Sequence, residues 1–286
     1  MSPLASRRVL VTGGTRGIGR AVALACVEAG ASVVVCGRDR GTVDEAVADL
    51  SRVAADRVDG IPCDVTCVDA LERALDLVES RFGPLTTLIH AAGVLGSIGP
   101  LVETPPEAWW EAVRINLFGT FLTARQGCRR LVRNGGGRVV LFSGGGAATP
   151  FPRYSAYACS KSGVVRLAET LALEMEGTGV EVNAIAPGMV ATQMHEQTLQ
   201  AGLAAGEAYL EKTRRMLAEG GYPVEKAAAA AVFLASDAAT GISGRLLAAA
   251  WDDWPSWPAH ADEIARTDLF TLRRIVPADR GGDWSA

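Results

Sequence analysis

A tyrosine and a lysine four positions apart could carry out acid–base chemistry in this chain. The segment Tyr157-Ala158-Cys159-Ser160-Lys161 lies in a stretch of helical pattern, where a spacing of four places both side chains on one helix face. A free phenol has a pKa of about 10, and a neighbouring ammonium lowers it toward the working range. The pair therefore predicts a general acid or base at Tyr157. A tyrosine in a helix interface beside a solvated lysine would give the same spacing.

A glycine-rich segment, TGGTRGIG at residues 12–19, could bind the phosphates of a dinucleotide. It follows the first predicted strand and opens the first predicted helix. Glycines allow a tight turn and let backbone N–H groups approach a pyrophosphate, to which the helix adds its positive end. A bare structural turn is the alternative. The residues predicted to contact the dinucleotide here are Gly13, Thr15, Arg16, Gly17, Ile18 and Gly19.

The end of the second predicted strand indicates which dinucleotide binds. A protein that binds NAD usually places a carboxylate there, facing the ribose 2′-OH. Gly37 occupies that place, and Arg38 and Arg16 could instead grip a 2′-phosphate. Asp39 argues for NAD, but it lies two positions too late. The pattern favours NADP(H), with two solvated surface arginines as the alternative.

The elements that must position these residues alternate between short β-branched runs and longer helical stretches. This alternation indicates βαβ units and a parallel sheet. Several strands are continuous apolar runs, which fits strands covered by helices on both faces. Strands are predicted near residues 8–12, 32–36, 58–63, 85–90, 138–143, 180–185 and 244–250. Helices are predicted near residues 17–29, 40–54, 67–82, 106–133, 155–176 and 224–236.

The right-handed crossover rule turns this alternation into a fold. It gives an α/β, doubly wound, Rossmann-type architecture with a predominantly parallel seven-stranded sheet, helices on both faces and a ligand crevice at the carboxyl ends of the strands. The absence of an internal repeat or linker predicts one domain over residues 1–250.

Two segments depart from the alternation. Residues 188–222 form a long connection with helical propensity and no predicted strand; loops of this length are often lids, and this segment is called the lid below. Residues 251–286 contain Trp251, Trp254, Trp257 and Trp284, and are called the Trp-rich extension. So many aromatic rings predict a packed segment across or beside the crevice, where it would shape the substrate site. Bridging to a neighbouring subunit is the alternative.

Composition limits the classes of partner. The 286 residues carry a net charge of −4 with no long basic run, which argues against nucleic acid. No apolar stretch is long enough to span a bilayer, and the chain passes directly into its first strand, so neither a membrane nor a secretory signal is expected. Cys63 and Cys67 have ligand-like spacing, but no second pair or nearby histidine completes a metal site. All six cysteines are read as reduced thiols of a cytoplasmic protein.

Six ordered motifs over roughly residues 7–248 resemble the short-chain dehydrogenase/reductase family, in the group that includes the 3-oxoacyl-carrier-protein reductases. The match begins with the glycine-rich segment and continues with CDV at 63–65, HAAG at 90–93 and IN at 115–116. It ends with the YxxxK motif at 157–161 and PGMVAT at 187–192.

The resemblance implies a role for individual residues. Tyr157 would be the acid in reduction and the base in oxidation, and Lys161 would lower its pKa and bind the nicotinamide ribose. Asn116 would hold a water that links Lys161 to solvent, and Ser143 would polarise the carbonyl. Further cofactor contacts implied by the resemblance are Asp64, Val65, Ala91, Gly93, Pro187, Val190 and Thr192.

Three features depart from the family pattern. The position thirteen residues before the tyrosine, usually serine, is Gly144, so Ser143 serves only if the loop shifts by one residue; otherwise it merely ends the fifth strand. His90 replaces the usual first asparagine of its motif and is read as a structural substitute rather than a base. The usual carboxy-terminal ending is absent, and the Trp-rich extension takes its place.

The sequence thus predicts an NADP(H)-dependent enzyme that interconverts a carbonyl and a secondary alcohol on a small-to-medium organic substrate. One alternative is a 3-oxoacyl thioester reductase acting on a carrier protein, for which Arg125, Arg129, Arg130 and Arg133 could form a basic docking patch. Another is a non-catalytic NADP(H) sensor. A homo-oligomer, with a tetramer favoured, is expected through helices 106–133 and 155–176, the second being apolar over much of its circumference.

Overall fold

A computed structural model describes residues 2–282 and shows one seven-stranded sheet in which every strand is parallel to its neighbours. The strand order is β3-β2-β1-β4-β5-β6-β7. The strands are β1 (Arg8–Thr12), β2 (Ser32–Gly37), β3 (Val58–Pro62), β4 (Thr87–His90), β5 (Gly137–Phe142), β6 (Val180–Ala186) and β7 (Leu246–Ala248). The predicted fold class is confirmed.

Helices cover both faces of the sheet, because each crossover between parallel strands returns through a helix. They are α1 (Gly17–Glu28), α2 (Arg40–Ala54), α3 (Val68–Phe82), α4 (Pro106–Val113), α5 (Gly119–Arg133), α6 (Ser155–Glu174), α7 (Gln193–Ala201), α8 (Glu207–Ala218), α9 (Val224–Ala235) and α10 (Ala261–Arg266). The strands contribute continuous buried apolar runs such as Val33–Val35 and Val139–Leu141, as the sequence pattern predicts. Two apolar cores, one on each face, fix the strand ends that form the site.

The predicted helix 106–133 contains one wider turn. A π-helical segment, Arg114–Phe118, joins α4 to α5, and Asn116 lies in it. Such wide turns inside α-helices are frequent at functional sites. The sequence carried no signal for this turn.

The lid contains α7 and α8, so its helical propensity is realised. The expectation that it has no strand holds except for one isolated antiparallel bridge between Val190 and Gly221. This bridge and a bond from Tyr222 N to Met189 O (3.0 Å) join the two ends of the lid. The lid therefore leaves the sheet and returns to it at nearly the same place.

The described part of the Trp-rich extension is packed on the sheet domain. Trp257 is 3% exposed, and its ring lies 4.4 Å from that of Phe270, while Trp254 packs on Phe233 of α9 at 5.3 Å. Leu246 N of β7 donates to Phe270 O (2.8 Å), which covers the outer edge of the last strand. Trp284 lies outside the described residues.

Strand β7 is shorter than the predicted 244–250, because Gly244 before it adopts a φ of +74°. The apolar circumference of α6, which was expected to indicate a subunit interface, is mostly buried within the subunit. Its apolar residues Val164 and Val165 are buried against the chain's own elements, whereas Leu173 is 69% exposed. Packing within one subunit thus accounts for most of the apolar surface of this helix. The oligomeric state stays a prediction.

Candidate active site

A large cleft of about 1280 Å³ lies at the carboxyl ends of the strands, where the doubly wound fold predicts a ligand. This volume exceeds that of typical drug-sized ligand pockets, ~300–1,000 Å³, and leaves room for two molecules. The N-terminal half of the cleft is lined by residues between 13 and 95, and its C-terminal half by residues between 142 and 251. Every site residue predicted from the sequence lines this cleft except Asn116.

The glycine-rich segment lies so close to the turn after β4, the strand beside β1 in the sheet, that a side chain on Gly13 does not fit. Gly13 has a φ of +68°, and a Cβ there would lie 2.7 Å from the backbone of Ala92. A Cβ on Gly19 would lie 2.1 Å from Gly13 O. The first residues of α1, Gly17 to Gly19, line the cleft, so the amino end of this helix lies at the cleft, as anion binding requires.

The end of β2 presents a cation, and no carboxylate, to the cleft. Arg38 is exposed and lines the cleft. Asp39, the residue that argued for NAD, caps α2 by accepting a hydrogen bond from Thr42 N (2.9 Å). A Cβ on Gly37 would lie 2.7 Å from Thr15 Cγ2, so a carboxylate side chain there would require the Thr15 side chain to shift.

Two further polar residues of this half, Arg16 and Asp64, are held by hydrogen bonds from or to other side chains. Arg16 donates to Gln193 Oε1 (2.9 Å) at the start of α7, so one predicted phosphate ligand bridges the cleft to the lid. Asp64 accepts bonds from Thr66 N and Thr66 Oγ1, both at 2.8 Å. Burial opposes ionisation of Asp64, but these bonds and the charges of Arg114 and Arg38 leave its pKa below the usual range.

Further predicted cofactor residues line the middle of the cleft. Val65 is buried under Gly119, where a Cβ would lie 2.8 Å from its side chain. Thr192 lies across from Gly17, with its methyl 3.6 Å from the position of a Cβ there. The remaining residues of this set that line the cleft are Ile18, Ala91, Gly93, Pro187 and Val190.

Tyr157 and Lys161 lie together on one face of α6, as the spacing predicts. The ammonium lies 5.7 Å from the centroid of the phenol ring and donates to Phe142 O (2.9 Å). Both side chains are buried, and burial lowers the pKa of Lys161 to about 8. The ammonium is thus held between the end of β5 and the phenol.

The pKa of Tyr157 lies in the direction opposite to that expected from the sequence. Burial raises it above its usual value, and the nearby Tyr209 phenol adds to the rise. The expected direction was wrong for the chain without a cofactor, because the ammonium of Lys161 donates to the Phe142 carbonyl and the cost of burying a phenolate outweighs its attraction. Tyr157 is therefore a neutral proton donor in this structure.

Asn116 is buried close to this pair and holds the loop that follows β4. Its amide accepts from Val94 N and donates to Val94 O, both at 2.8 Å. It also donates to Ser160 Oγ (3.1 Å), which in turn donates to Tyr157 O (2.7 Å). Ser160 is a positioning contact that sequence reasoning missed, because nothing in the YxxxK pattern assigns its third variable position a partner.

Ser143 and Gly144 occupy different places around the phenol. Ser143 is buried and donates to Lys161 O (3.0 Å), so its proton reaches a substrate only if the hydroxyl turns. A Cβ on Gly144 would lie 2.2 Å from Tyr157 Oη, so the glycine leaves the space in which the phenol lies. The assignment of Ser143 to carbonyl polarisation stays a prediction.

His90 is buried at the end of β4, where its Nδ1 lies 2.8 Å from Thr12 Oγ1 of the neighbouring strand. Burial, with a smaller contribution from Lys161, lowers its pKa to about 3. The imidazole is therefore neutral and joins two strands. This supports the structural interpretation of His90.

The C-terminal half of the cleft carries aromatic side chains that no sequence motif indicated. Phe151 follows β5, Tyr209 lies on α8 of the lid, and Trp251 begins the Trp-rich extension. Phe151 and Tyr209 pack edge to face at 4.8 Å, and Phe151 lies 6.4 Å from the Tyr157 ring. The proline and aromatic content of loop 150–154 was the available signal, but it does not say which cleft the rings line.

Comparison with known proteins assigns this arrangement to a family. The family described as short chain dehydrogenase matches residues 7–202. The chain belongs to the short-chain dehydrogenase/reductase family. This family accounts for the sheet, the glycine-rich segment and the Tyr157–Lys161 pair, and its members are oxidoreductases that use a nicotinamide cofactor.

Three relatives illustrate the range of the family around this chain. A D-threitol dehydrogenase of Mycolicibacterium smegmatis is 35% identical and covers 82% of this chain and 88% of its own. The 3-oxoacyl-[acyl-carrier-protein] reductase MabA of Mycobacterium tuberculosis is 33% identical, with 86% and 92% covered. The structure of actinorhodin polyketide ketoreductase with NADPH is 28% identical, covers 87% and 97%, and superposes with a TM-score of 0.77.

Within residues 2–282, no cluster of three or more His, Cys, Asp or Glu side chains could hold a metal ion. In the same residues, no helix has the length and apolar character needed to cross a membrane. Neither Cys63 nor Cys67 is part of a potential metal cluster in this part of the chain.

Proposed function

We propose that this protein is an NADP(H)-dependent oxidoreductase that interconverts a carbonyl and a secondary alcohol on a small-to-medium organic substrate. The observation that carries the proposal is the position of Tyr157 Oη, which lies beside Gly144 in the cleft that the glycine-rich segment opens. A neutral phenol donor and a dinucleotide site thus share one cavity. Residues 1–250 form the catalytic unit in this proposal, and the Trp-rich extension completes its wall.

The residues of the N-terminal half fit NADP(H). The tight approach of Gly13 to Ala92 provides a cradle without side chains for the pyrophosphate, and α1 begins there. Arg38 would hold the 2′-phosphate, with Arg16 joining it on release of Gln193. Asp39 caps α2 and is not among the residues that line the cleft, so it does not take the place of a carboxylate that faces a ribose 2′-OH. The relative solved with NADPH adds support of the same kind.

The chain's own groups manage the proton, while the bound nicotinamide supplies or accepts the hydride. In reduction, Tyr157 Oη donates its proton to the carbonyl oxygen as the hydride reaches the carbon. Lys161, already ammonium below pH 8, stabilises the resulting phenolate. In oxidation, the phenolate accepts the proton of the alcohol.

The surrounding residues hold this geometry. Asn116 fixes the backbone of Val94 and, through Ser160, the carbonyl of Tyr157. Its proposed further role is to hold a water that connects Lys161 to solvent. Ser143 would turn from Lys161 O to polarise the substrate carbonyl.

The second candidate, reduction of a 3-oxoacyl group on a carrier protein, is favoured by the similarity to MabA. The basic patch suggested for it on α5 does not adjoin the cleft. Arg130 is paired with Glu72, Asp76 and Glu79 of α3, and Arg133 with Glu79. A docking site on this helix is thus not supported, and a free small molecule remains the better candidate substrate.

The proposal is tested by following the oxidation of NADPH with a panel of ketones and aldehydes, with NADH in parallel and a 3-oxoacyl thioester on a carrier protein as one member. We expect NADPH to be consumed with at least one free carbonyl compound, and faster than NADH. Consumption only with the carrier-bound thioester would select the second candidate. Tight NADPH binding without consumption across the panel would contradict both and favour a non-catalytic sensor.

A further inference from the structure

Trp251 is a large apolar side chain that lines the cleft yet is 62% exposed. The two tryptophans that follow it behave differently, since Trp254 packs on Phe233 and Trp257 is buried against Phe270. These two anchor the extension to the sheet domain. Trp251 makes no comparable core contact, so its ring is available to whatever occupies the cleft.

Exposure of Trp251 does not mean that the ring is loosely held. Its Nε1 donates to Tyr222 Oη (3.1 Å), and the two rings meet edge to face at 5.4 Å and 74°. Its backbone N donates to Ala248 O (3.0 Å), and Asp252 Oδ2 accepts from Ala248 N (2.7 Å). The indole is thus positioned before a ligand arrives, which reduces the entropy lost on binding.

The surroundings of Trp251 indicate what it would contact. Ala248, which bonds the backbone of Trp251, and Met189, which bonds the backbone of Tyr222, carry no charge, and the ring edge that bears Nε1 is already bonded. Most of the Trp251 side chain remains exposed, and an indole face favours flat apolar or aromatic groups.

The reacting centre and the wall belong to the same half of the cleft. Phe151 of the loop after β5 and Tyr209 of α8 lie near Tyr157 on one side of this half of the cleft. Trp251, which follows β7, also lines it. A carbonyl at Tyr157 would therefore carry its substituent into a space with aromatic side chains on more than one side.

We propose that Trp251 is a specificity-determining residue that stacks on the aryl group of the substrate, which makes the substrate class aryl ketones and the corresponding secondary alcohols. This inference rests on the proposed function and adds the substrate class to it. Trp251 acts by binding the part of the substrate that does not react, and takes no part in hydride or proton transfer.

The test compares two ketones of similar size, acetophenone and cyclohexyl methyl ketone, and takes the ratio of their kcat/KM values. We expect the wild type to prefer acetophenone and Trp251→Ala to lower the ratio about 3- to 10-fold, the size expected for loss of one aromatic contact. Trp251→Phe should restore most of the ratio. The matched control is Trp110→Ala, because Trp110 is 61% exposed but lies on α4 outside the cleft lining.

A binding measurement separates this inference from the proposed function. In a Tyr157→Phe background, calorimetry should give a dissociation constant for 1-phenylethanol that rises about 3- to 10-fold on adding Trp251→Ala. The constant for 1-cyclohexylethanol should change less. An unchanged ratio of kcat/KM, or equal changes in both dissociation constants, would overturn the role of Trp251 while leaving the oxidoreductase proposal intact. Failure of the wild type on the whole carbonyl panel would instead contradict the proposed function.

Discussion

The two halves of the cleft are built in different ways. The N-terminal half consists of backbone held at close range, as where Gly13 meets Ala92, with a few charged side chains at its rim. The C-terminal half is formed by side chains from a loop, the lid and the Trp-rich extension, with aromatic rings set among polar residues such as Arg153, His195 and Lys212. Close backbone approach admits only glycine and therefore leaves a fixed pattern in the sequence. A wall of side chains can be built from many residue types and leaves none.

The largest expected effect lies where the two halves meet. Tyr157→Phe removes only the hydroxyl that transfers the proton, so kcat should fall about 10²- to 10⁴-fold. The NADPH dissociation constant should stay within about twofold, because the contacts of the N-terminal half do not involve the phenol proton. Steady-state kinetics and calorimetry measure the two quantities.

The matched control for this variant is Tyr154→Phe, which removes a second buried tyrosine hydroxyl, one that donates to Thr198 Oγ1 (3.1 Å) and belongs to a residue that does not line the cleft. It should retain most of the activity. Comparable losses in both variants would mean that the tyrosines act through packing, and Tyr157 would lose its role in proton transfer.

A charge reversal in the N-terminal half should affect cofactor choice and leave the chemistry intact. Arg38→Asp removes a charge-assisted contact to the 2′-phosphate, so the NADPH dissociation constant should rise about 10- to 100-fold. The constant for NADH should stay or improve, because the new carboxylate can accept from the ribose 2′-OH. Arg40→Asp is the control, since Arg40 pairs with Asp44 on α2. Equal effects on NADPH and NADH would show that Arg38 makes no contact with the phosphate.

A smaller effect is expected from Ser143→Ala. Loss of an oxyanion donor can cost ~10²-fold or more, but this hydroxyl must first leave Lys161 O, which offsets part of its contribution. We therefore expect kcat to fall about tenfold. Ser162→Ala is the control, since its hydroxyl holds the carbonyls of Gly146 and Ala147 on the same loop. An unchanged kcat in Ser143→Ala would assign carbonyl polarisation to Tyr157 alone.

The smallest effect is a pH dependence. Lys161 is protonated below its pKa of about 8, and the ammonium is the form that stabilises the phenolate. The rate of reduction should therefore fall as pH rises through 8, to about half its plateau at that pH. Cys63, whose thiol pKa is lowered by the contact with Cys36, also lines the cleft. The inflection should persist in Cys63→Ala, and its loss in that variant would assign it to the thiol.

Much of the site was predictable because its parts lie within single elements. The 157–161 spacing on one helix and the turn after β1 need no knowledge of distant contacts. Contacts across elements were not predictable. The bonds of Asn116 to Val94 and Ser160 depend on a π-helical turn, and the rise in the Tyr157 pKa depends on burial and on the carbonyl of Phe142. The position of Trp251 depends on how the extension folds back after β7.

The central claim, hydride transfer between NADPH and a carbonyl carbon, is tested most directly with NADPH that carries deuterium at the transferable position of its nicotinamide. The cofactor is incubated with the carbonyl compound that the panel selects, and the alcohol is analysed by mass spectrometry. The account predicts an alcohol with one deuterium on the carbinol carbon in the wild type and almost no product in Tyr157→Phe. An alcohol formed without the label, or NADPH consumed without an alcohol, would contradict it.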